Sequence, residues 1–420
     1  MLDRTTPPAF KAIEGLHFPW PQTLQIKRGI PLYLLNMGQQ PIIRLELVFE
    51  AGKWQEPQNG VAYLTAKMLL EGTKLKDAAA VARYIDQYGA SLSTKVYSDT
   101  LSITLITLSK HLTPMLELLA EILFTPAFDE QRLVHRKHLK KQSLKLAAEK
   151  SSQVAKKKLK EVLFKASHPY GRQLTEAALE AVTLDQIKQY YYKKLLANTQ
   201  VFLSGQVRDQ DVQAVQQHLQ ALPTRVHEHP RVALDVPEPI QAHLPAKGQL
   251  QAALNVGRVL IAKKHPDYLP MLFVSTLLGG YFGSRLMRNI REEKGYTYGI
   301  YARIIPLRHM SYLQIATEVI QAALQATYQE IAREIQILQT TPVPQEELQT
   351  LRNYLFGTFL THINDPFSIM EKFKQAQLHG LGQDYYTQLH HTIRDIDTAQ
   401  IMELANKYLV LERFSQVTVA

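Results

Sequence analysis

A chain of 420 residues with 45% hydrophobic content can bury a large core, and its length suits two domains better than one. The absence of cysteine excludes disulfide scaffolds, zinc fingers and thiol catalysis. The balanced composition excludes collagen, coiled-coil rods and wholesale disorder, while a net charge of +10 raises nucleic acid or an acidic substrate as partners to be weighed.

Met1 to Pro8 holds no basic stretch followed by an apolar one, and no window of about 18 apolar residues occurs, so a soluble cytoplasmic protein with no membrane partner is expected. Gly60 to Glu71 reads as a helix, with Asn59 as N-cap, Gly72 at its C-terminal end, and Val61, Leu64, Met68 and Leu69 as its buried stripe. Period-two alternation follows. Leu92, Thr94 and Val96, then Leu101, Ile103 and Leu105, predict an antiparallel hairpin, and Leu112 to Leu123 predicts a helix. Nine lysines stand between Arg136 and Lys160, with no nucleic-acid motif or interleaved aromatic platform. That run reads as a solvated helix face, and no nucleic-acid partner is expected. His135 with His138, and the adjacent His390 and His391, lack a carboxylate at supporting spacing and read as solvated or capping histidines. Tyr190 to Tyr192 reads as part core, part surface.

The chain repeats itself. Thr183-Leu184-Asp185-Gln186-Ile187 leads through Lys193 to an apolar strand at Gln200 to Leu203, and Asp397-Thr398-Ala399-Gln400-Ile401 leads through Lys407 to another at Ser415 to Val419. The second half offers its own alternating pair, Tyr298 to Ile304 and Tyr312 to Ile315, with a helix beginning near Val319. Strands and helices are partly segregated, which predicts an α+β class: two homologous α/β sandwich domains, each an antiparallel-rich sheet with helices packed on it, related by internal duplication. The expected domains are residues 1–222 and 241–420, and the proline-bearing, aperiodic stretch 223–240 is the expected linker. Two such domains could face one another and enclose a chamber.

Gly279-Gly280-Tyr281-Phe282-Gly283 gives a backbone bare enough to approach a ligand, although a tight turn or helix end explains it equally well. Arg291 follows at a helix end, and Tyr298 stands seven positions later where alternation begins. Both can point into one cleft beside the glycine loop. Taken singly, Arg291 reads as a surface salt bridge to Glu292 or Glu293, and Tyr298 as a half-buried strand residue.

The segment Gly60 to Thr73 resembles the zinc helix of the pitrilysin/insulinase (inverzincin) family, in which two histidines at i and i+4 bind zinc beside a general-base glutamate. Here the two histidine positions hold Tyr63 and Lys67, and the base position holds Ala66. An ammonium has no lone pair to give, and alanine takes no proton from water. The family's third ligand is a glutamate on a later helix; counted from Phe128-Asp129-Glu130, that position falls at or near Ser143. Glu71-Gly72-Thr73, His168-Pro169-Tyr170-Gly171 and the arginine–tyrosine spacing match the family in order, so the resemblance spans roughly Ile30 to Val419.

The resemblance implies no metal in this chain and zinc in a homologous partner subunit. In the family's two-subunit members one chain supplies zinc and the other the arginine–tyrosine pair. This chain resembles the second kind: a non-catalytic subunit of a heterodimeric zinc endopeptidase, inactive alone. Tyr298 would then donate to the scissile carbonyl or oxyanion, Arg291 would anchor substrate main chain, and Gly279, Gly280 and Gly283 would guide an extended peptide. A structural or assembly protein, or a peptide-binding homodimer without proteolysis, are the alternatives.

Overall fold

The computed structural model describes residues 18–226, 232–233, 235–246 and 251–420, together with Thr5. The rest of Met1 to Pro8, and residues 227–231 and 234 of the expected linker, lie outside the described residues. Among those described, no helix is long and apolar enough to cross a membrane.

In chain order the first half runs β1 (Gln22–Lys27), β2 (Ile30–Asn36), β3 (Ile42–Phe49), α1 (Val61–Met68), α2 (Ala78–Gln87), β4 (Ser91–Val96), β5 (Leu101–Leu108) and α3 (Leu112–Phe124). It continues through α4 (Glu130–Ala148), α5 (Ser151–Phe164), α6 (Glu176–Glu180), α7 (Leu184–Tyr190), β6 (Gln200–Gly205) and α8 (Asp209–Leu219). The second half runs β7 (Gln241–Leu244), β8 (Gln251–Leu260), α9 (Tyr268–Gly279), β9 (Thr297–Pro306), β10 (Ser311–Ile320) and α10 (Leu324–Thr340). It closes with α11 (Gln345–Thr361), α12 (Pro366–Leu378), α13 (Tyr385–Asp395), α14 (Thr398–Tyr408) and β11 (Ser415–Val419).

Two sheets result, with strand orders β1-β2-β6-β3-β5-β4 and β7-β11-β8-β10-β9. Leaving out β1, the orders superimpose term by term, and so do the directions. The pairs β2·β6 and β7·β11 are parallel, and all the other corresponding pairs are antiparallel. The duplication read from the sequence is therefore a duplication of topology. Its start signals work as capping chemistry requires: Thr183 and Gln186 form a capping box, and the Asp397 carboxylate accepts the Gln400 N–H at 2.8 Å.

Two boundaries differ from expectation. Strand β10 continues through Val319 (buried) and Ile320 (exposed), still alternating, before one 3₁₀ turn leads into α10. The first half uses the same device between β5 and α3. The N-cap of α1 is Gly60 at φ +106°, a conformation glycine tolerates, rather than Asn59. The Glu56 carboxylate accepts the N–H groups of Gly60 and Ala62 at 3.0 and 3.1 Å, and the Asn59 amide turns instead to the Gln173 carbonyl at 2.6 Å.

Each half lends a helix to the other. Helix α5 lies on β8 and β11, burying Ala155, Leu159 and Phe164 against Ala253, Val417 and Val419. Helix α12 lies on β2 and β6, burying Ile369, Met370 and Phe373 against Tyr33, Leu35 and Phe202. Part of the lysine-rich run is therefore core-facing, because α5 is amphipathic and its apolar stripe covers a sheet. A buried ion pair ties the exchanged helix down: Lys374 of α12 to Glu46 of β3 at 2.8 Å. Between the halves lies a cavity of about 250 Å³. Its walls are the β4–β5 turn with Asp99, the β9–β10 turn with Arg308, Lys160 of α5, Lys374 of α12 and His379 just after that helix. The Tyr170 hydroxyl donates to Asp99 at 2.7 Å, so the His168 to Gly171 segment anchors this turn. Burial pushes the His379 imidazole down to about 4, so it is neutral at physiological pH.

Candidate functional site

Helix α1 carries Tyr63, Ala66 and Lys67 above the edge strand β4. Ala66 is fully packed, and the Lys67 ammonium donates to the Thr94 carbonyl of β4 at 3.3 Å. From α4, the Lys140 ammonium sits over the Tyr63 ring, 4.7 Å from its centroid, and Arg136 pairs with Glu71. Burial pushes the Tyr63 phenol up and the Lys67 ammonium down, the latter helped by the Arg136 charge. Lys140 is lowered by burial and then by Lys53, Lys157 and Lys67.

Ser143 is exposed on α4. The residue of α4 that lies over the Tyr63 ring is Lys140, three positions before Ser143. A zinc ion does not fit this set. Two ammonium groups, a guanidinium tied to a carboxylate and a protonated phenol offer it neither imidazole nor free carboxylate. Among the described residues no group of three or more histidines or carboxylates could hold a metal. His390, expected to be solvated or capping, is instead buried against the Phe356 ring.

Regrafting the ligands tests this geometry. Tyr63→His, Ala66→Glu and Lys67→His combined with Lys140→Glu is expected to bind zinc at least about tenfold tighter than the same triple change combined with Ser143→Glu. Competition titration against a chromogenic chelator measures both; equal affinities would return the third position to Ser143.

In the second half, Gly279 closes α9 where it crosses β9. A Cβ there would lie 2.6 Å from the Ala302 nitrogen, and one on Gly280 would lie 2.5 Å from the Thr276 Cα. Gly279 permits close packing of helix on strand, Gly280 lets the chain turn tightly against Thr276 of the same helix, and Gly283 lies exposed in the turn beyond. A π-helical segment, Met287–Glu293, follows and packs along β9. It is held by Arg285, which grips Glu347 with two hydrogen bonds of 3.0 and 2.8 Å.

Arg291 emerges from this segment, and its guanidinium lies over the Phe282 ring of the glycine turn, 4.4 Å from the centroid. Its Nη1 is buried without a hydrogen-bond partner, and no ion pair joins it to Glu292 or Glu293 among the described residues. Tyr298 is 90% exposed at the start of β9. Register explains its projection: Thr297 pairs with Val319 and Ile300 with Thr317, so Tyr298 and Gly299 together oppose Glu318 in a β-bulge. Thr297 braces the bulge by donating to the Glu318 carbonyl at 2.7 Å. The structure thus joins Arg291 to the glycine turn through Phe282, while no contact among the described residues joins Arg291 to Tyr298. Phe282, 62% exposed, and the bulge were missed in the sequence; an aromatic between the glycines was the available signal for the first.

Comparison with known proteins matches the description "Insulinase (Peptidase family M16)" to residues 34–178 and "Peptidase M16 inactive domain" to residues 181–355. The chain belongs to the M16 insulinase family. Among M16 relatives it is 28% identical to a Helicobacter pylori protein described as "Non-peptidase homolog YmxG", over 78% of this chain and 76% of that one. It is 21% identical to the Bacillus subtilis "Uncharacterized zinc protease YmxG", over 75% and 77% respectively. A crystal structure of a peptidase M16 inactive domain from Pseudomonas fluorescens superimposes with a TM-score of 0.86 at 24% identity, covering 95% of this chain and 98% of that one. The chain thus has the M16 fold, and helix α1 presents Tyr63, Ala66 and Lys67 with no histidine or carboxylate among those three positions.

Proposed function

We propose that this chain is the non-catalytic, substrate-binding subunit of a heterodimeric zinc endopeptidase, completing the cleft of a homologous zinc-bearing subunit. The observation that carries this reading is Arg291. It is a permanent cation fixed against an aromatic ring, with one donor nitrogen buried and unmatched. An orphaned donor of this kind costs about 1–3 kcal/mol, recovered when a peptide carbonyl reaches it. Tyr298 adds a phenolic donor on a bulged edge strand, where β9 leaves main-chain groups open to strand addition.

The division of labour follows. The partner's zinc supplies an activated water. This chain aligns the extended substrate along the open edge of β9, fixes its main chain at Arg291, and offers the Tyr298 hydroxyl to the carbonyl oxygen as negative charge develops. The exposed glycine turn gives the substrate close access at Gly283.

Mixing tests the proposal. The purified chain and a histidine-bearing M16 subunit from the same genome should each leave an unstructured peptide intact or nearly so, while the mixture cleaves it and loses that activity to a chelator. A chain that elutes only as a homodimer beside its candidate partner, with no gain in cleavage, would overturn it.

A further inference from the structure

Six lysines lie in a row of interacting charges: Lys67 on α1, Lys140 on α4, Lys53 before α1, and Lys157, Lys160 and Lys156 on α5. Their links are electrostatic. Lys67, Lys53 and Lys157 each act on the charge of Lys140, and Lys53 and Lys156 act on that of Lys160. At one end of the row, Lys67 touches the edge strand β4. At the other, Lys156 lines a cleft of about 270 Å³ with Gly299, Tyr301 and Arg303, beside the Tyr298 bulge. The row therefore runs from the edge strand β4 to a cleft over β8, β10 and the edge strand β9.

None of the six makes an ion pair with a carboxylate among the described residues. The carboxylates that act on them are already engaged: Glu56 caps α1, and Asp99 accepts from Tyr170 and from the Arg308 N–H. Glu318, in the cleft with Lys156, is exposed beyond the bulge. Lys140 and Lys160 rest on the Tyr63 and Tyr312 rings, 4.7 and 5.9 Å from the centroids, in place of counter-ions. Burial and neighbouring lysines push Lys160 down to about 8. Beside Lys67, the Thr94 hydroxyl is buried on the face of β4 toward α1 and has no partner.

Like charges, five of the six partly buried and none ion-paired among the described residues, oppose folding, and such an arrangement points to a binding role. We propose that this lysine row binds acidic segments of extended polypeptide, the carboxylates neutralising Lys67, Lys140 and their neighbours while the main chain lies between the edges of β4 and β9. A peptide is favoured over nucleic acid because the row meets edge strand β4 at one end and the cleft beside the bulge of edge strand β9 at the other, and edge-strand N–H and C=O groups match another main chain. The inference rests on the substrate-binding reading above and names its substrate class.

The test needs only the isolated chain. Three fluorescent peptides of equal length, rich in glutamate, glutamine or lysine, are titrated by anisotropy at low salt. The acidic peptide should bind at least about tenfold tighter than the neutral one, and Lys67→Gln/Lys140→Gln should remove that advantage. Lys74→Gln/Lys110→Gln, which deletes two exposed charges elsewhere, should keep it. The wild-type protein supplies a readout independent of any variant's folding, since affinity for the acidic peptide should fall steeply with added salt. Equal affinity for the three peptides, full binding by Lys67→Gln/Lys140→Gln, salt-insensitive binding, or tighter binding of an oligothymidylate would each overturn the inference. Failure here with an active mixture would leave the Arg291 and Tyr298 roles intact. An inactive mixture with preserved acidic-peptide binding would remove those roles alone.

Discussion

Tyr298→Phe is expected to lower turnover by the assembled peptidase about 100-fold, with the stability of this chain unchanged. The two halves of that expectation have one source. At 90% exposure the ring contributes little packing, and its hydroxyl has no partner within the described chain, so the fold loses nothing when the oxygen goes. What is lost is a donor held out on a bulge, whose projection is fixed by the braced Thr297 and by the two-against-one register at Glu318. A donor aimed at developing charge acts mainly in the transition state, so turnover should drop more than apparent substrate affinity. Steady-state kinetics on the mixture, beside thermal unfolding of the variant alone, measure both. Unchanged turnover would strip Tyr298 of its assigned role; a fall matched by equal loss of stability would make the residue structural.

Phe373→Ala is expected to destabilise the protein by about 3–5 kcal/mol. Phe373 belongs to α12 of the second half, yet it is 1% exposed among Trp20, Tyr33 and Phe202 on the first half's sheet. Truncation leaves a cavity at the exchange contact. The chain's two tryptophans report on this region: Trp20 meets Phe373 edge-on at 4.9 Å, and Trp54 packs against His309 of the second half at 4.8 Å. Because each sheet is completed by a helix from the other half, tryptophan fluorescence and circular dichroism should unfold together in denaturant. The variant's midpoint should fall with the slope retained. Two separated transitions would mean that the halves unfold as independent units.

Much of the architecture was legible because it depends on short-range chemistry. Period-two runs gave β4, β5, β9 and β10, and the Thr183 and Asp397 caps marked corresponding helices in the two halves. The limits appear where local pattern stays ambiguous. Val319 and Ile320 suit strand or helix alike, and only pairing with β8 and β9 carries the strand that far. Asn59 is a good N-cap residue by type, but a buried carboxylate four residues before Gly60 took the position's hydrogen bonds. Spacing singles out Arg291 as a candidate; its unmatched nitrogen and its ring partner depend on how the π-helical segment packs.

By itself the sequence determined which side-chain chemistry helix α1 offers. Tyr63, Ala66 and Lys67 share a helix, and no tertiary arrangement gives an ammonium or a methyl group the lone pairs that zinc and its water require. Tertiary structure decided where the charges go. A run of lysines is solvated or desolvated according to which helix face meets another layer, and that followed from α5 crossing to the opposite sheet. The same packing put Lys140 rather than Ser143 against Tyr63. Side-chain chemistry is a property of each residue, whereas burial and electrostatic company belong to the assembled layers, and those formed between segments far apart in the chain.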